Sequence, residues 1–267
     1  MMVYPVLDRK AALNRLYSEN NQLFQDEENL HPWRVLYSRL FQDPLLRIWD
    51  NNSGSRPAKD NRMMSRAPEM RLDNAKSRKA SLTKHLDYSK WTDGPYISFT
   101  TCPVAIKELA KMRLDRERGA QTLSVIDPKS RIMNGLPILN VATEMDHYSI
   151  PDPYDKGKEY YTNHCVCLWQ VTETEIVGHW DWDSLANSEN WYENIIIPAV
   201  DKWRENNQLE FHKLAVKGTE EKGGGLDNYY FQQHVSDDED FDCTYDGMVE
   251  ANTSDNIIRM IEGDWNY

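Results

Sequence analysis

The segment from Tyr96 to Ile126 constrains the fold more than any other part of the sequence. Tyr96–Thr100 is a short run of aromatic, β-branched and hydroxyl residues, which predicts a strand. Pro103 stands where a helix can begin, because a residue in the first helical turn needs no N–H partner, and Gly119 is typical of a helix end. Gln121–Ile126 predicts the next strand. A strand, a helix and a second strand in close succession predict an α+β domain.

The rest of the chain adds strands and helices to this unit. The run 165–171 is almost continuously apolar, which predicts a strand buried on both faces. Residues 33–40 and 175–180 predict further strands, and apolar periodicity predicts helices over 7–28, 80–88 and 188–205, the last kinked at Pro198. We therefore expect a small mixed sheet, split around a central cleft, with the helices packed outside it.

Charge and hydropathy narrow the classes of partner. The formal net charge is −12, with 31 Lys and Arg against 43 Asp and Glu, so the overall field repels phosphate backbones and argues against nucleic acid. No apolar run reaches the ~18 residues of a membrane span. The first ten residues lack the apolar core of a signal peptide, and four scattered cysteines form no disulfide framework. These features predict a cytoplasmic protein.

Composition also divides the chain. We expect a helical extension over 1–29, a core over 30–184, and a helical and acidic extension over 185–267. Within the core, residues 51–79 contain eight Lys or Arg and three Asp or Glu, which predicts a mobile basic insertion. Residues 237–250 contain seven acidic residues and no basic one, which is typical of a solvated tail or a surface that faces a protein partner.

The order of three elements carries a resemblance to a known fold. An Arg-bearing strand at 33–40 comes first, the Ser-Phe-Thr strand at 96–100 second, and the apolar strand at 165–171 last. This order resembles the ADP-ribosyltransferase-like fold. The stretch His85-Leu86-Asp87-Tyr88-Ser89, ahead of the Ser-bearing strand, makes the chain more closely similar to an uncharacterised domain of fungal proteins. The resemblance spans about residues 32–184.

The resemblance implies a site for NAD. Arg34, or secondly Arg39, would grip the pyrophosphate, because a planar guanidinium can hold two phosphate oxygens at once. Ser98, Thr100 and Thr101 would brace the nicotinamide pocket. Two ordinary roles stay open beside these: an Arg at a strand edge paired with a carboxylate, and hydroxyls at a strand end that cap the next helix.

The catalytic Glu of active transferases has no match in this chain. Its expected position, at the start of the last core strand, is occupied by His164, and the nearest carboxylates are Glu159 and Glu175. We therefore expect a cleft for NAD or a related nucleotide-like small molecule with weak or absent transferase or NAD glycohydrolase activity, in which His164, Glu159 and Glu175 are the catalytic candidates. The alternative is an inactive interaction module that uses the acidic C-terminal region and the basic loop.

Two further clusters and a possible metal site complete the candidates. Glu144, Asp146 and His147 could do acid–base work, and Asp181 and Asp183 could either orient His179 or cap the following helix. We expect no metal, because Cys165 and Cys167 share one strand face, His164 points away from them, and no second ligand pair completes a site.

Overall fold

The computed structural model of the protein describes residues 4–17, 27–33, 41–87, 93–155 and 161–207. Its helices are α1 Arg9–Leu16, α2 Glu27–Leu30, α3 Ala75–Leu86, α4 Pro103–Asp115, α5 Pro128–Met133, α6 Val141–His147, α7 Trp182–Ala186 and α8 191–207. Its strands are β1 Leu45–Asp50, β2 Met63–Met64, β3 Tyr96–Thr100, β4 Gln121–Ile126, β5 Ile138–Asn140, β6 His164–Leu168, β7 Gln170–Val171 and β8 Ile176–Asp181. The α+β class is confirmed.

Six of these strands form one sheet in the order β5-β6-β3-β1-β4-β8, and β2 pairs with β7 in a second, two-stranded sheet. Every pair of neighbouring strands is antiparallel. The mixed sheet that we expected is therefore wrong for the described strands.

The sheet opens between β1 and β3. Strand β1 pairs with β4 along its whole length, from Leu45 opposite Ile126 to Asp50 opposite Gln121. It pairs with β3 at a single position, Leu46 opposite Thr100. The two central strands therefore meet at one end and separate towards the other, and buried side chains, not ladder hydrogen bonds, must fill the space between them.

The helices cover the two halves of the sheet separately. Helices α4, α7 and α8 pack on β1 and β4 in a cluster that contains Trp182 and Trp191. Helices α1, α3 and α6 pack around β3 and β6 in a cluster that contains Leu82 and Leu86 of α3. In α8, Ile197 N–H bonds to Tyr192 in a π-helical turn directly before Pro198. The disturbance predicted at this proline, which cannot donate a hydrogen bond, is a widened turn.

Several predicted elements differ from the structure. The helix predicted over 7–28 ends at Leu16, because Tyr17 is extended with φ −99° and ψ 145°. Residues 34–40 of the predicted Arg-bearing strand lie outside the described residues, and the first described strand is β1, which we did not predict. The continuous strand predicted over 165–171 is broken at Trp169, whose positive φ of 62° turns the chain from β6 into β7.

Residues 51–79 pack against the domain at several points. Met63 and Leu72 are fully buried, and β2 pairs with β7. Backbone hydrogen bonds join Ser65 N to Trp169 O and Leu72 N to Arg15 O, both 2.8 Å long. These contacts bury apolar side chains of residues 62–72, which the basic and polar composition of the segment did not lead us to expect. Mobility stays a prediction for the rest of residues 51–79, and so do the domain boundaries at 29 and 184.

Candidate functional site

Three neighbouring strands and one helix form a polar cluster, which we call the Ser98 cluster: Ser98, His85, His164 and Arg47. Ser98, His164 and Arg47 are buried, and His85 is half-buried. Strand register places Thr100 of β3 directly opposite His164 of β6, with Ser98 two residues along on the same face. His85 reaches this face from α3, and its Nε2 lies 3.0 Å from Ser98 Oγ.

Helix α3 holds His85 in place. The N-cap residue of α3 is Asn74, whose side chain accepts from Ser77 N. The Ser77 hydroxyl in turn accepts from Asn74 N, so this capping box satisfies the first turn of the helix. Leu82 and Leu86, which flank His85 at helical spacing, are fully buried and fix the helix on the sheet. The ring centroid of His85 therefore lies 6.1 Å from that of His164.

His164 is the least satisfied side chain of the cluster. It is 4% exposed, and neither of its ring nitrogens has a hydrogen-bond partner among the residues that the structure describes. Desolvation, with a smaller contribution from the charge of His85, lowers the pKa of His164 well below its usual range. The ring is therefore neutral at pH 7, with one donor and one acceptor to offer. Leaving such groups buried and unpaired costs free energy, so their position calls for a functional explanation.

Arg47 brings a positive charge to the place where β1 and β3 separate. It is 1% exposed, and it donates from Nη1 to Ser98 O at 3.0 Å and from Nε to Ser55 O at 3.2 Å. Its guanidinium therefore bridges the opening in the sheet through backbone carbonyls. Burial first, and then the charges of Arg47 and Arg66, lower the pKa of His85 to about 4.

The electrostatics of the cluster favour a negatively charged ligand. Among the described residues, the charges that shift the pKa of the two histidines are those of Arg47, Arg66 and His85, and none of these is a carboxylate. The two neutral imidazoles and the Ser98 hydroxyl of the cluster, with Arg47 and the nearby Arg66, can donate hydrogen bonds to an anion. Burial disfavours protonation of the imidazoles.

The other predicted hydroxyls lie at the same end of β3. Thr100 Oγ1 accepts from Cys102 N at 3.1 Å, which closes a local turn ahead of α4. The N-cap residue of α4 is Cys102, and no side chain caps this helix in the described part of the chain, so the capping alternative is wrong for Thr100. Thr101 ties the corner to the residue before β6, since its N–H donates to Asn163 O at 3.1 Å. Arg34, Arg39 and Glu159 lie outside the described residues, so their roles stay predictions.

Glu175 is placed differently from the Ser98 cluster. It is fully buried, and its Oε1 accepts from both Thr172 N at 2.9 Å and Thr172 Oγ1 at 2.7 Å. Its Oε2 accepts from Arg131 Nη1 at 2.6 Å. With both oxygens engaged in a cap and a buried ion pair, these contacts favour a structural role for this carboxylate.

His179 belongs to a hydrogen-bond chain at the edge of the sheet. Ser124 Oγ lies 2.6 Å from His179 Nδ1, and His179 Nε2 lies 2.7 Å from Asn61 Oδ1. Trp49 Nε1 also donates to Ser124 Oγ, at 2.7 Å, and Ser124 is fully buried. This chain of hydrogen bonds ties Asn61 to β8, with Ser124 buried at one end and His179 exposed at the other. Asp181 caps α7 by accepting from Ser184 N, so the capping alternative is confirmed for this residue.

Glu144 and His147 are also part of the packing. Glu144 Oε2 accepts from Trp33 Nε1 at 2.7 Å and lies 2.9 Å from His31 Nε2. The rings of His31 and His147 stack at 3.5 Å. These contacts hold residues 27–33 against α6.

In the described ranges of the chain, no group of three or more His, Cys, Asp and Glu side chains could hold a metal ion. No helix in these ranges is both long and apolar enough to cross a bilayer.

The fold and the site define an α+β domain with an antiparallel sheet and a polar Ser–His–His–Arg cluster. Residues 42–185, just over half of the chain, match the family described as Domain of unknown function (DUF7587). The chain therefore belongs to this family. No curated protein matches it. The family match spans β1, β3 and β6, and so contains Arg47, His85, Ser98 and His164.

Sequence reasoning missed two members of the cluster. Arg47 is the single cation in the otherwise apolar run Leu45–Trp49, and this isolated charge was the available signal. His85 belongs to the stretch that carries the resemblance, but the sequence predicted no role for it. Its contact with Ser98 depends on how α3 packs on the sheet, which no local pattern encodes.

Proposed function

We propose that this domain binds an anionic, nucleotide-like small molecule, NAD or a chemical relative of it, at the Ser98 cluster, and that it cleaves NAD weakly or not at all. The observation that carries the proposal is His164, a neutral and buried imidazole without a partner in the described structure. Its ring lies 6.1 Å from that of His85, the histidine on which the charge of the buried Arg47 acts. A bound ligand would give its ring nitrogens the partners that they lack.

The anionic character of the ligand rests on Arg47 and Arg66. Their charges act on a site of low dielectric, where each is felt more strongly than in water. A phosphate or pyrophosphate supplies the charge that such a site favours, and a guanidinium suits its geometry. The Ser98 hydroxyl and the two imidazoles would then contact uncharged parts of the ligand.

Weak catalysis follows from the side chain at the start of β6. Departure of nicotinamide builds positive charge on the ribose, which a carboxylate stabilises and a neutral imidazole does not. Removing one well-placed electrostatic group typically costs about 2.7–4 kcal/mol in the transition state, or roughly 100–1,000-fold in rate. His164 therefore supports binding more than transfer.

The test is a calorimetric titration of NAD and of ADP-ribose into the full chain and into His85→Gln and Ser98→Ala variants. We expect both ligands to bind the wild type and to lose at least ~10-fold in affinity in either variant. Lys84→Gln is the matched control, because Lys84 is an exposed neighbour of His85 on the same helix. It removes one positive charge outside the cluster and should leave binding unchanged.

The same proteins should be assayed for NAD consumption, together with Glu159→Gln. Fast turnover that Glu159→Gln abolishes would contradict weak catalysis and identify the catalytic carboxylate. Folded protein that binds neither ligand would contradict the proposal and favour the interaction module instead.

A further inference from the structure

A second candidate site lies where the N-terminal segment crosses the two-stranded sheet. This shallow pocket, which we call the Arg15 pocket, is lined by Tyr4, Pro5, Val6, Leu7, Ala11, Arg15, Met64, Pro68, Trp169 and Gln170. None of these residues belongs to the Ser98 cluster. Most of the lining is apolar, and Arg15 is its one ionised side chain.

Arg15 is held over an aromatic ring. Its guanidinium carbon lies 5.5 Å from the centre of the Trp169 ring, a cation–π contact that fixes the plane of the head group. The ring itself is immobilised, because Trp169 is fully buried and its Nε1 donates to Met70 O at 2.8 Å. The positive charge is therefore presented on a rigid surface.

One nitrogen of the Arg15 guanidinium, the buried Nη1, has no acceptor in the part of the chain that the structure describes. Burial lowers the pKa of Arg15, while the charges of Glu69 and Asp8 raise it without an ion pair to either being formed in the described structure. A buried donor of an ionised group is costly to leave unpaired, so an acceptor that enters the pocket gains a charge-assisted hydrogen bond.

Tyr4 and Gln170 also carry polar groups in the lining, and the amide of Gln170 is already occupied. Gln170 Oε1 accepts from Leu7 N at 2.7 Å, and Gln170 Nε2 points to Pro5 O at 3.3 Å and to Met64 Sδ at 2.9 Å. A ligand in the pocket would therefore contact the guanidinium of Arg15 and mostly apolar side chains. A phosphate dianion needs more donors than this, whereas a carboxylate is satisfied by one guanidinium and can bury its adjoining carbon against Met64.

We propose that the Arg15 pocket binds a single carboxylate group carried on a short alkyl chain, with Arg15 as its partner and the walls of Met64, Val6 and Pro68 around its first carbons. Such a group belongs either to a small free organic acid or to a Glu side chain of a peptide. The pocket is small, so the rest of a larger ligand would stay outside it.

The experiment is an NMR titration of the full, ¹⁵N-labelled chain with sodium propionate, at constant ionic strength set with sodium chloride. We expect saturable shifts of the Leu7 and Ala11 amide signals with a dissociation constant in the low-millimolar range, since a ligand of few atoms has a low ceiling of affinity. Arg15→Gln should weaken this binding at least ~10-fold. Lys10→Gln, an exposed neighbour on the same helix, should not.

A peptide ligand and a second variant complete the experiment. A capped peptide with one Glu side chain should shift the same amides if the group comes from a protein; if propionate alone does so, the natural source is a free acid. Ala11→Leu, which fills the pocket without changing charge, should also abolish binding, and it serves if Arg15→Gln fails to fold. Absent or unsaturable propionate shifts, equal shifts in Arg15→Gln, or phosphate binding as tight as propionate would each overturn the proposal.

Discussion

Replacing Glu175 with Gln should unfold the protein more easily, not switch off a reaction. Arg131 and Glu175 are both fully buried, and one ion pair of 2.6 Å joins them. Removing one partner of a buried pair typically costs about 3–5 kcal/mol, because the remaining charge is left uncompensated. Arg131 also donates to the carbonyls of Pro137, Gln170 and Leu168 at 2.8–2.9 Å, so part of its hydrogen bonding survives.

We therefore expect the lower end of that range, a loss of about 3 kcal/mol in the free energy of unfolding. For a chain of this size it corresponds to a fall of roughly 6–12 °C in Tm. Urea unfolding followed by Trp fluorescence measures the loss. Glu173→Gln is the matched control, because Glu173 is exposed in the same turn, and it should change stability by no more than ~0.5 kcal/mol.

The reasoning is refuted if Glu175→Gln costs less than ~1 kcal/mol, because a buried pair cannot be broken so cheaply. A variant that is as stable as the wild type but has lost NAD turnover would instead assign Glu175 the catalytic role that the sequence suggested.

Three more outcomes follow from the described contacts. Because the pKa of His85 is lowered from 6.5 to about 4, the unfolded chain takes up this proton first as the pH falls. His85 should therefore account for a loss of at most on the order of 3 kcal/mol in the free energy of unfolding between pH 6.5 and 4, in addition to the loss from His164, whose pKa is also lowered, and His85→Gln should reduce the slope in urea titrations. Gly135→Ala should lower stability by about 1–2 kcal/mol in the same assay, since Gly135 has φ +70° and an added Cβ would lie 2.8 Å from the Arg9 side chain. Limited trypsin digestion should spare residues 62–72 until the domain unfolds, because the buried side chains of Met63 and Leu72 anchor them. Early cleavage within 62–72 would instead support the mobile insertion that the composition predicts.

The parts of the fold that local signals encode could be predicted. Strands β3 and β4 have the predicted bounds, and α4 begins at Pro103 as expected, because the strand pattern and the helix-initiating proline act within a few residues. Strand β1 was missed, since Arg47 and Asp50 interrupt its apolar pattern. Asp50 can be buried because Arg113 and Arg118 pair with it at 2.7 and 2.8 Å, and both contacts join residues far apart in sequence.

The candidate site divides in the same way. Ser98 and His164 could be selected because each lies on a recognisable strand, and their strands are neighbours in the sheet. The contact between His85 and Ser98 needed the tertiary packing of α3. The break at Trp169 could not be predicted either, because a positive φ has no signature in this residue type. It accompanies tertiary contacts, since Trp169 Nε1 donates to Met70 O and Trp169 N donates to Pro95 O.

The central claim is that the Ser98 cluster binds a nucleotide-like anion and leaves it intact. The most direct test is a calorimetric titration of NAD into the full chain, followed by chromatography of the recovered ligand. We predict a saturable heat at one site per chain, with NAD recovered unchanged after hours of contact. Either no measurable binding by the folded protein, or rapid release of nicotinamide, would contradict the claim.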